Sequence, residues 1–284
     1  MSGVPIVSGH AKKILFSTEL NVRLFWILWI ACALPQESVT SQEENRTAQS
    51  IIDQYIQAKG GQETLAKIKN YTIKGEVISK GEVVSKFEIH QAPNLHLSID
   101  RFPDGSKRTH GTDGKIAWQI DIKGQPKILT GQSARDYIRH YSTLHEALNW
   151  TKQFKNIEYV KKTSLGKTPV HHLVFHASDG RKIDRFFDVE TGLFVREEQK
   201  TADENETFMV SEIMDYTKEE NGSMVSRRRI NHFGTLDQNT LLEKHMVEYK
   251  IRSIESNEIK DLKLFAIPAS VAKLQQQTEP DKAK

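Results

Sequence analysis

The sequence predicts a mostly β fold with some helix (α+β): a single half-open, strongly curved antiparallel β-barrel with helices covering its concave face. Three patterns predict this fold. Residues 47–68 carry apolar side chains at helical spacing, about a dozen later segments alternate apolar and polar residues, and residues 131–150 return to helical spacing. Because a long sheet with one apolar face cannot stay open in water, it must curl on itself or be covered.

The first element is the helix predicted over residues 47–68. Thr47 or Ser50 could cap its start, and Gly60-Gly61 interrupts it, so we expect one helix, a break and a short second turn. The apolar residues that share one face are Ile51, Ile52, Tyr55, Ile56, Leu65 and Ile68.

The strands begin at Tyr71, where apolar and polar residues start to alternate. Dipeptides ending in glycine, such as those at Gly105 and Gly222, lie between the alternating segments and supply the positive φ of tight hairpin turns. Successive hairpins without a long crossover indicate an antiparallel sheet. After the helical insertion, the predicted strands are 157–165, 168–177, 182–188, 193–201, 208–216, 224–233 and 241–253.

The helical insertion, residues 131–150, interrupts this series of strands. Ser133 could cap it, and its aromatic and apolar side chains recur at helical spacing, so this face must cover something. Over a cavity, the insertion would act as a lid. The residues of this face are Tyr137, Ile138, Tyr141, Leu144 and Leu148.

The N-terminal region is typical of a secretory signal, and residues 1–33 are predicted to be a signal peptide whose start is over-extended. Arg23 precedes ten uncharged residues, 24–33, and Ala31-Cys32-Ala33 fits a cleavage site after Ala33. Alternatively, Cys32 is acylated as in bacterial lipoproteins. Either processing route predicts a location in the periplasm or cell envelope.

The rest of the chain is predicted to be a polar linker (34–46), one domain (47–268) and a disordered tail (269–284). Of the net charge of +3, residues 1–33 carry +2, which leaves a nearly neutral body. A nucleic-acid-binding domain usually has a strong basic excess, so no nucleic-acid partner is expected. The single cysteine excludes an internal disulfide and a cysteine-based zinc site.

The sequence indicates no catalytic residue, metal site or cofactor, so we expect a protein that is not an enzyme. His172 and His176 share a strand face, but their Cα atoms would be about 13 Å apart, too far to bind one zinc ion. No serine-nucleophile motif or phosphate-binding loop is present. The run at 227–229, three arginines, is interpreted as a solvated sheet edge or as a contact with anionic lipid at a membrane surface.

Large apolar residues that could point inward define the candidate ligand site. They would form either a packed core or an apolar cavity, since curved sheets of this size can enclose a ligand. The candidate cavity residues are Phe87, Leu97, Trp118, Ile120, Tyr137, Tyr141, Leu144, Phe175 and Phe186.

Five segments in order resemble one known family. They are Ile51-Ile-Asp-Gln-Tyr-Ile-Gln-Ala-Lys-Gly-Gly61, Gln91-Ala-Pro-Asn94, Asp113-Gly-Lys-Ile-Ala-Trp118, Phe187-Asp-Val-Glu-Thr-Gly-Leu193 and Phe265-Ala-Ile-Pro268. Together they resemble the outer-membrane lipoprotein-sorting family, the LolA- and LolB-like periplasmic lipoprotein carriers, over residues 47–268. The ligand-contacting arginine of that family has no identifiable counterpart in this sequence.

The resemblance implies a half-open antiparallel barrel whose apolar cavity accepts acyl chains or lipidated peptides. The expected function is therefore that of an exported envelope protein that binds lipid acyl chains or lipoproteins without catalysis. The alternative is an envelope sensor or interaction module of the same fold, which would have an envelope protein as its partner and no transported cargo.

Overall fold

A computed structural model of the protein describes residues 47–141, 144–178, 180–200, 208–237 and 240–278. The predicted signal peptide, Cys32 and the polar linker lie outside these residues, so those three assignments stay predictions. No helix in the described ranges is both long and apolar enough to cross a membrane.

The helices agree with the predicted break at Gly60-Gly61. Thr47 caps the first helix, because its Oγ1 accepts a hydrogen bond from the Ser50 backbone N–H at 3.2 Å. The helices are α1 (Ala48–Ala58), α2 (Gly61–Lys67), α3 (Gly131–Tyr141), α4 (Trp150–Gln153) and α5 (Ala269–Thr278), with 3₁₀ turns at Glu146–Asn149 and Leu262–Phe265.

The described ranges contain one sheet of thirteen strands in which all neighbours are antiparallel. The strands are β1 (Tyr71–Ser79), β2 (Glu82–Ala92), β3 (Leu95–Arg101), β4 (Lys107–Thr112), β5 (Ala117–Ile120), β6 (Pro126–Ile128), β7 (Phe154–Leu165), β8 (Thr168–Ala177), β9 (Lys182–Asp188), β10 (Phe194–Lys200), β11 (Phe208–Lys218), β12 (Met224–Asp237) and β13 (Thr240–Ser256).

The first and last strands meet in the middle of the sheet. The strand order is β6-β5-β4-β3-β2-β1-β13-β12-β11-β10-β9-β8-β7, so β1 pairs with β13. The two edge strands, β6 and β7, are consecutive in sequence and are joined by the helical insertion. The sheet is not closed, and the predicted fold class, a mostly β half-open antiparallel barrel with helices, is confirmed.

The two faces of the sheet are covered by different parts of the chain. On the inner face, α3 covers His96 of β3, whose ring stacks on Tyr141 with centroids 3.5 Å apart. On the outer face, the next residue, Leu97, packs with Phe265 and Val271, because successive side chains of a strand point to opposite faces. The inner core consists of Ile51, Ile52, Tyr55, Trp150, Leu173, Phe175, Ile183 and Phe187.

Two expectations are corrected. Residues 269–278 form α5, not a disordered tail, because the apolar outer face of β3–β6 needs a cover and Val271 is fully buried against it. The arginine run is not at a sheet edge: β12 lies between β11 and β13, and carboxylates beside it neutralise the guanidinium groups. Arg228 Nε, for example, donates to Glu248 at 2.8 Å.

The insertion also differs from one continuous helix. Its first helix, α3, ends at Tyr141, and a 3₁₀ turn at Glu146–Asn149 precedes α4. The break lets Trp150 turn into the inner core, where its ring stacks on Tyr55 with centroids 5.4 Å apart. This aromatic contact holds the insertion against α1.

Candidate functional site

Two cavities lie on the inner face. We call the first the lysine cavity; its volume is about 240 Å³, and α1, α2, β1, the insertion and the ends of β12 and β13 surround it. Most of its surface is apolar. Its lining residues are Tyr55, Lys59, Leu65, Ile68, Tyr71, Ile73, Leu144, His145, Glu146, Ala147, Trp150, Phe194, Ser223, Met224, Val225, Ile254 and Ser256.

The backbone at the end of α1 positions Lys59. The Lys59 carbonyl accepts a hydrogen bond from the Met224 backbone N–H at 3.0 Å, which joins α1 to the start of β12. Gly60 follows with φ of 114°, and a Cβ there would lie 2.7 Å from the Gly222 carbonyl oxygen. Only glycine fits this close approach, so the α1–α2 turn seats directly on the β11–β12 hairpin.

The Lys59 ammonium is the positive charge of this cavity. Its Nζ lies 5.6 Å from the centroid of the Tyr216 ring. Burial lowers the pKa of Lys59 to about 8, against an opposing effect of Glu219. Within the described ranges no carboxylate oxygen lies within 4.0 Å of Nζ; Glu219 instead accepts hydrogen bonds from Arg227 and Thr217. The ammonium is therefore half-buried without a neutralising partner.

The other titratable groups of the lysine cavity are either hydrogen-bonded or neutral. His145 Nε2 is 3.1 Å from the Ile68 carbonyl oxygen, and burial lowers the pKa of His145, which favours the neutral ring. Glu146 accepts a hydrogen bond from Arg185 Nη2 at 2.9 Å. Tyr55 and Tyr71 have a raised pKa because they are buried, so both stay neutral.

We call the second cavity the arginine cavity; its volume is about 560 Å³. It lies beside the lysine cavity, and Glu146 and Phe194 line both. Its remaining lining residues are Ser133, Tyr137, Arg139, His140, Tyr141, Gln153, Phe154, Arg181, Ile183, Arg185, Glu197, Gln199, Met209, Arg229 and Asn231.

Arg185 is the central residue of the arginine cavity, and it is 5% exposed. Its Nε donates to Glu197 and its Nη2 to Glu146, both at 2.9 Å. The guanidinium also lies 4.6 Å from the ring centroid of Phe175 and 5.1 Å from that of Trp150. Two carboxylates and an aromatic cage therefore neutralise and enclose this charge, which ties the insertion to β9 and β10.

Five of the nine candidate cavity residues lie on the inner face. Leu144 lines the lysine cavity, and Tyr137 and Tyr141 line the arginine cavity. Phe175 is fully buried beneath Arg185. Phe87 lies over Gly75, which leaves no room for a Cβ there, and its ring is 6.2 Å from that of Tyr249.

The other four candidates lie on the outer face. Leu97, Trp118 and Ile120 pack with the C-terminal segment that contains Phe265. Phe186 stacks on His172 with centroids 4.6 Å apart, and its neighbour Phe187 takes the inner position. Strand alternation divides the six candidates that lie on strands between the two faces, so the nine residues do not line one common cavity. Ligand contact by any of them stays a prediction.

The two histidines that share a face of β8 pair with carboxylates across strands. His172 Nε2 is 2.6 Å from Asp184 Oδ1, and His176 Nε2 is 3.3 Å from Glu158 Oε2. In the part of the chain that the structure describes, no group of three or more His, Cys, Asp and Glu side chains is placed to hold a metal ion.

Sequence reasoning missed Lys59 and Arg185 as site residues. A lysine at the end of an amphipathic helix and an arginine in a strand are both usually solvated. For Lys59 the available signal was its position directly before Gly60-Gly61, where the chain must turn sharply. For Arg185, the signal was its position two residues from both Ile183 and Phe187. Alternate residues of a strand share a face, and those two residues are buried.

This architecture, an open antiparallel half-barrel with cavities between the sheet and its helices, defines a class of proteins among solved structures. No protein-family model matches the chain, and no curated protein matches its sequence. A LolA superfamily protein from Nitrosomonas europaea matches with a TM-score of 0.53 and 14% identity, over 78% of this chain and 98% of that one.

Two further structures agree. A putative outer membrane lipoprotein-sorting protein domain from Vibrio parahaemolyticus matches with a TM-score of 0.52 and 9% identity, over 77% of this chain and 97% of that one. A DUF1329 family protein from Desulfovibrio piger matches with a TM-score of 0.52 and 9% identity, over 77% of this chain and 96% of that one. The predicted resemblance to the lipoprotein-sorting family is confirmed at the level of the fold.

Proposed function

We propose that this chain is an exported envelope protein that binds a lipid acyl chain, or the acyl chain of a lipidated protein, in the lysine cavity. The protein acts by binding and release, without catalysis. The observation that carries the proposal is the apolar cavity between α1–α2, the insertion and the inner face of the sheet.

The energetics of the cavity suit an acyl chain. Each methylene removed from water contributes about 0.8 kcal/mol, so about ten buried methylenes supply the roughly 8 kcal/mol of micromolar binding, and a longer chain offsets the cost of association. Leu65, Ile68, Ile73 and Ile254 offer aliphatic walls, and Trp150 closes one side. The insertion that carries Leu144 would act as the lid.

Two other observations support this proposal. The fold is similar to that of a solved LolA superfamily protein and of a lipoprotein-sorting protein domain, and residues 1–33 have the pattern of an export signal. A protein with both features would meet its cargo in the periplasm or cell envelope.

The direct test is native mass spectrometry of the protein purified from the cell envelope, followed by lipid extraction. We expect a bound acyl lipid, or binding of an added fluorescent fatty-acyl probe once endogenous lipid is extracted. A lipid-free protein that also ignores the added probes contradicts the proposal. A crosslinked envelope protein found in place of lipid would favour the sensor or interaction module instead.

A cavity-filling variant locates the binding site. Ile254→Trp places an indole into the lysine cavity and should abolish probe binding while the protein stays folded. Val160→Trp is the control, because Val160 of β7 is 41% exposed and lies away from both cavities. Equal probe binding by the two variants would place the ligand elsewhere.

A further inference from the structure

We propose that the ligand of the lysine cavity is a single-chain amphiphile with a carboxylate head group, and that Lys59 binds this carboxylate. The inference rests on the proposed function, since the same cavity holds the chain. It adds the chemical class of the head group and the residue that selects it.

The first step is the charge balance of the cavity. The charged side chains that line it are Lys59 and Glu146, and Glu146 is committed to Arg185 at 2.9 Å. Glu219, the acidic group that acts on Lys59, is ion-paired to Arg227. The cavity therefore presents one positive charge that no described carboxylate neutralises.

The second step is the cost of that charge. A partly buried ammonium without a counter-ion is unfavourable, and the Tyr216 ring at 5.6 Å compensates it only in part. The lowered pKa of Lys59 agrees with this cost. An anionic group supplied by a ligand would form a charge-assisted hydrogen bond with the ammonium and remove the cost.

The third step is the size and valence of the site. A volume of about 240 Å³ lies below the range of about 300–1,000 Å³ that holds drug-sized ligands, so there is room for part of one chain. One lysine provides a single positive charge, which matches a carboxylate. A phosphate is bound best by a bidentate arginine, and no arginine is among the described residues that line the lysine cavity.

The fourth step is the rigid placement of Lys59. Its carbonyl is anchored on Met224, and Gly60 seats the turn against Gly222. Its backbone is thus held at the cavity wall while the four-carbon stem can adjust to the ligand. A fixed backbone with an adjustable charged stem suits a residue that binds a head group in an apolar site.

The test compares two probes that share one chain: cis-parinaric acid and its methyl ester, titrated by fluorescence into the protein after lipid extraction. We expect the protein to bind one acid per chain, about tenfold more tightly than the ester. Lys59→Met should reduce acid affinity to that of the ester and change ester affinity less than about twofold. Lys59→Arg should retain the preference for the acid.

The matched control is Lys67→Met, because Lys67 of α2 has a side chain that is 72% exposed and pairs with Glu63. This variant should keep the full preference for the acid. Ester binding by Lys59→Met reports that the cavity is folded. Equal binding of acid and ester by the unmodified protein, or a persistent acid preference in Lys59→Met, would overturn the inference but not the proposed function. Failure of both probes to bind overturns both.

Discussion

The lysine cavity and the arginine cavity lie side by side and share Glu146 and Phe194, but the positive charges of Lys59 and Arg185 have different environments. Arg185 is held by two carboxylates at 2.9 Å and by the rings of Phe175 and Trp150. Lys59 has a tyrosine ring at 5.6 Å and, within the described ranges, no carboxylate partner.

The difference separates a structural charge from a ligand-binding one. A buried charge that is paired with carboxylates of the same chain attracts an anionic ligand less strongly, and removing one member of such a pair is destabilising. A half-buried charge without a partner costs stability in the empty protein and gains it when an anion binds. Arg185, although it lies in the larger cavity, is therefore a weaker candidate for binding a ligand's head group than Lys59.

The largest effect is expected for Arg185→Met. Removing the guanidinium takes a charged partner at 2.9 Å from both Glu146 and Glu197, and buried Glu197 keeps only Gln199 at 3.2 Å and Arg229 at 3.6 Å. We therefore expect a loss of about 3 kcal/mol in the free energy of unfolding, measured by urea denaturation. Arg196→Met is the control, since Arg196 pairs with Glu198 and Glu212 in a more exposed setting and should cost about 1 kcal/mol or less. If both variants lost the same free energy of unfolding, the ion pairs of Arg185 would contribute no more to stability than those of the more exposed Arg196.

The next effect concerns the turn that positions Lys59. Gly60→Ala introduces a Cβ 2.7 Å from the Gly222 carbonyl oxygen at a positive φ, and we expect a loss of about 2 kcal/mol or more. Gly81→Ala separates the two causes, because Gly81 also has a positive φ but nothing within 4 Å of its Cβ. A loss at Gly60 no larger than at Gly81 would show that the turn does not seat on the hairpin.

A third, smaller effect is the pH dependence of ligand preference. At pH 7 the protein should bind the acid about tenfold more tightly than the ester, a preference worth about 1.4 kcal/mol. This preference should disappear as the pH rises beyond the pKa of Lys59. A bound carboxylate raises that pKa. In the empty protein that pKa is about 8. A ratio that is constant to pH 11 would exclude Lys59 as the head-group residue.

No other group facing Lys59 is expected to cause that change. These groups are Tyr55 from α1, Tyr71 from β1, His145 and Glu146 from the insertion, and Tyr216 and Glu219 from β11 and its turn. Burial raises the pKa of the tyrosines and lowers that of His145, so neither type titrates within the measured range. The acidic groups are bound by arginines.

The smallest effect is a gain in stability from Lys59→Met. The folded-state pKa of Lys59 lies below its ordinary value of 10.5, so the unfolded chain binds more protons between those values and wild-type stability rises with pH across that window. At pH 7 the variant should therefore be more stable, by about 1 kcal/mol once the shift is discounted for solvent screening of this half-exposed side chain. The gain should vanish above pH 10.5; Lys67→Met should show none. A destabilised variant at pH 7 would mean that the ammonium already has a partner.

Several elements could be predicted from local pattern because their causes are local. The break at Gly60-Gly61, the strands Thr168–Ala177 and Lys182–Asp188 and the antiparallel order followed from hydrophobic period and glycine turns. The pairing of β1 with β13 joins residues far apart in sequence, and no local pattern specifies it. The wrong expectation of a disordered tail has the same origin, since α5 contributes Val271 to a face built by distant strands.

The sequence by itself determined most of the strands, the helix break at Gly60-Gly61, the half-open barrel class and the resemblance to the lipoprotein-sorting fold, because periodicity and turn chemistry act between neighbours in the chain. Only the tertiary structure decided which apolar residues face the helices and which face the C-terminal segment. It also decided that Arg185 is neutralised while Lys59 is not. Charge compensation depends on distances between side chains from different elements, and the folded arrangement alone sets those distances.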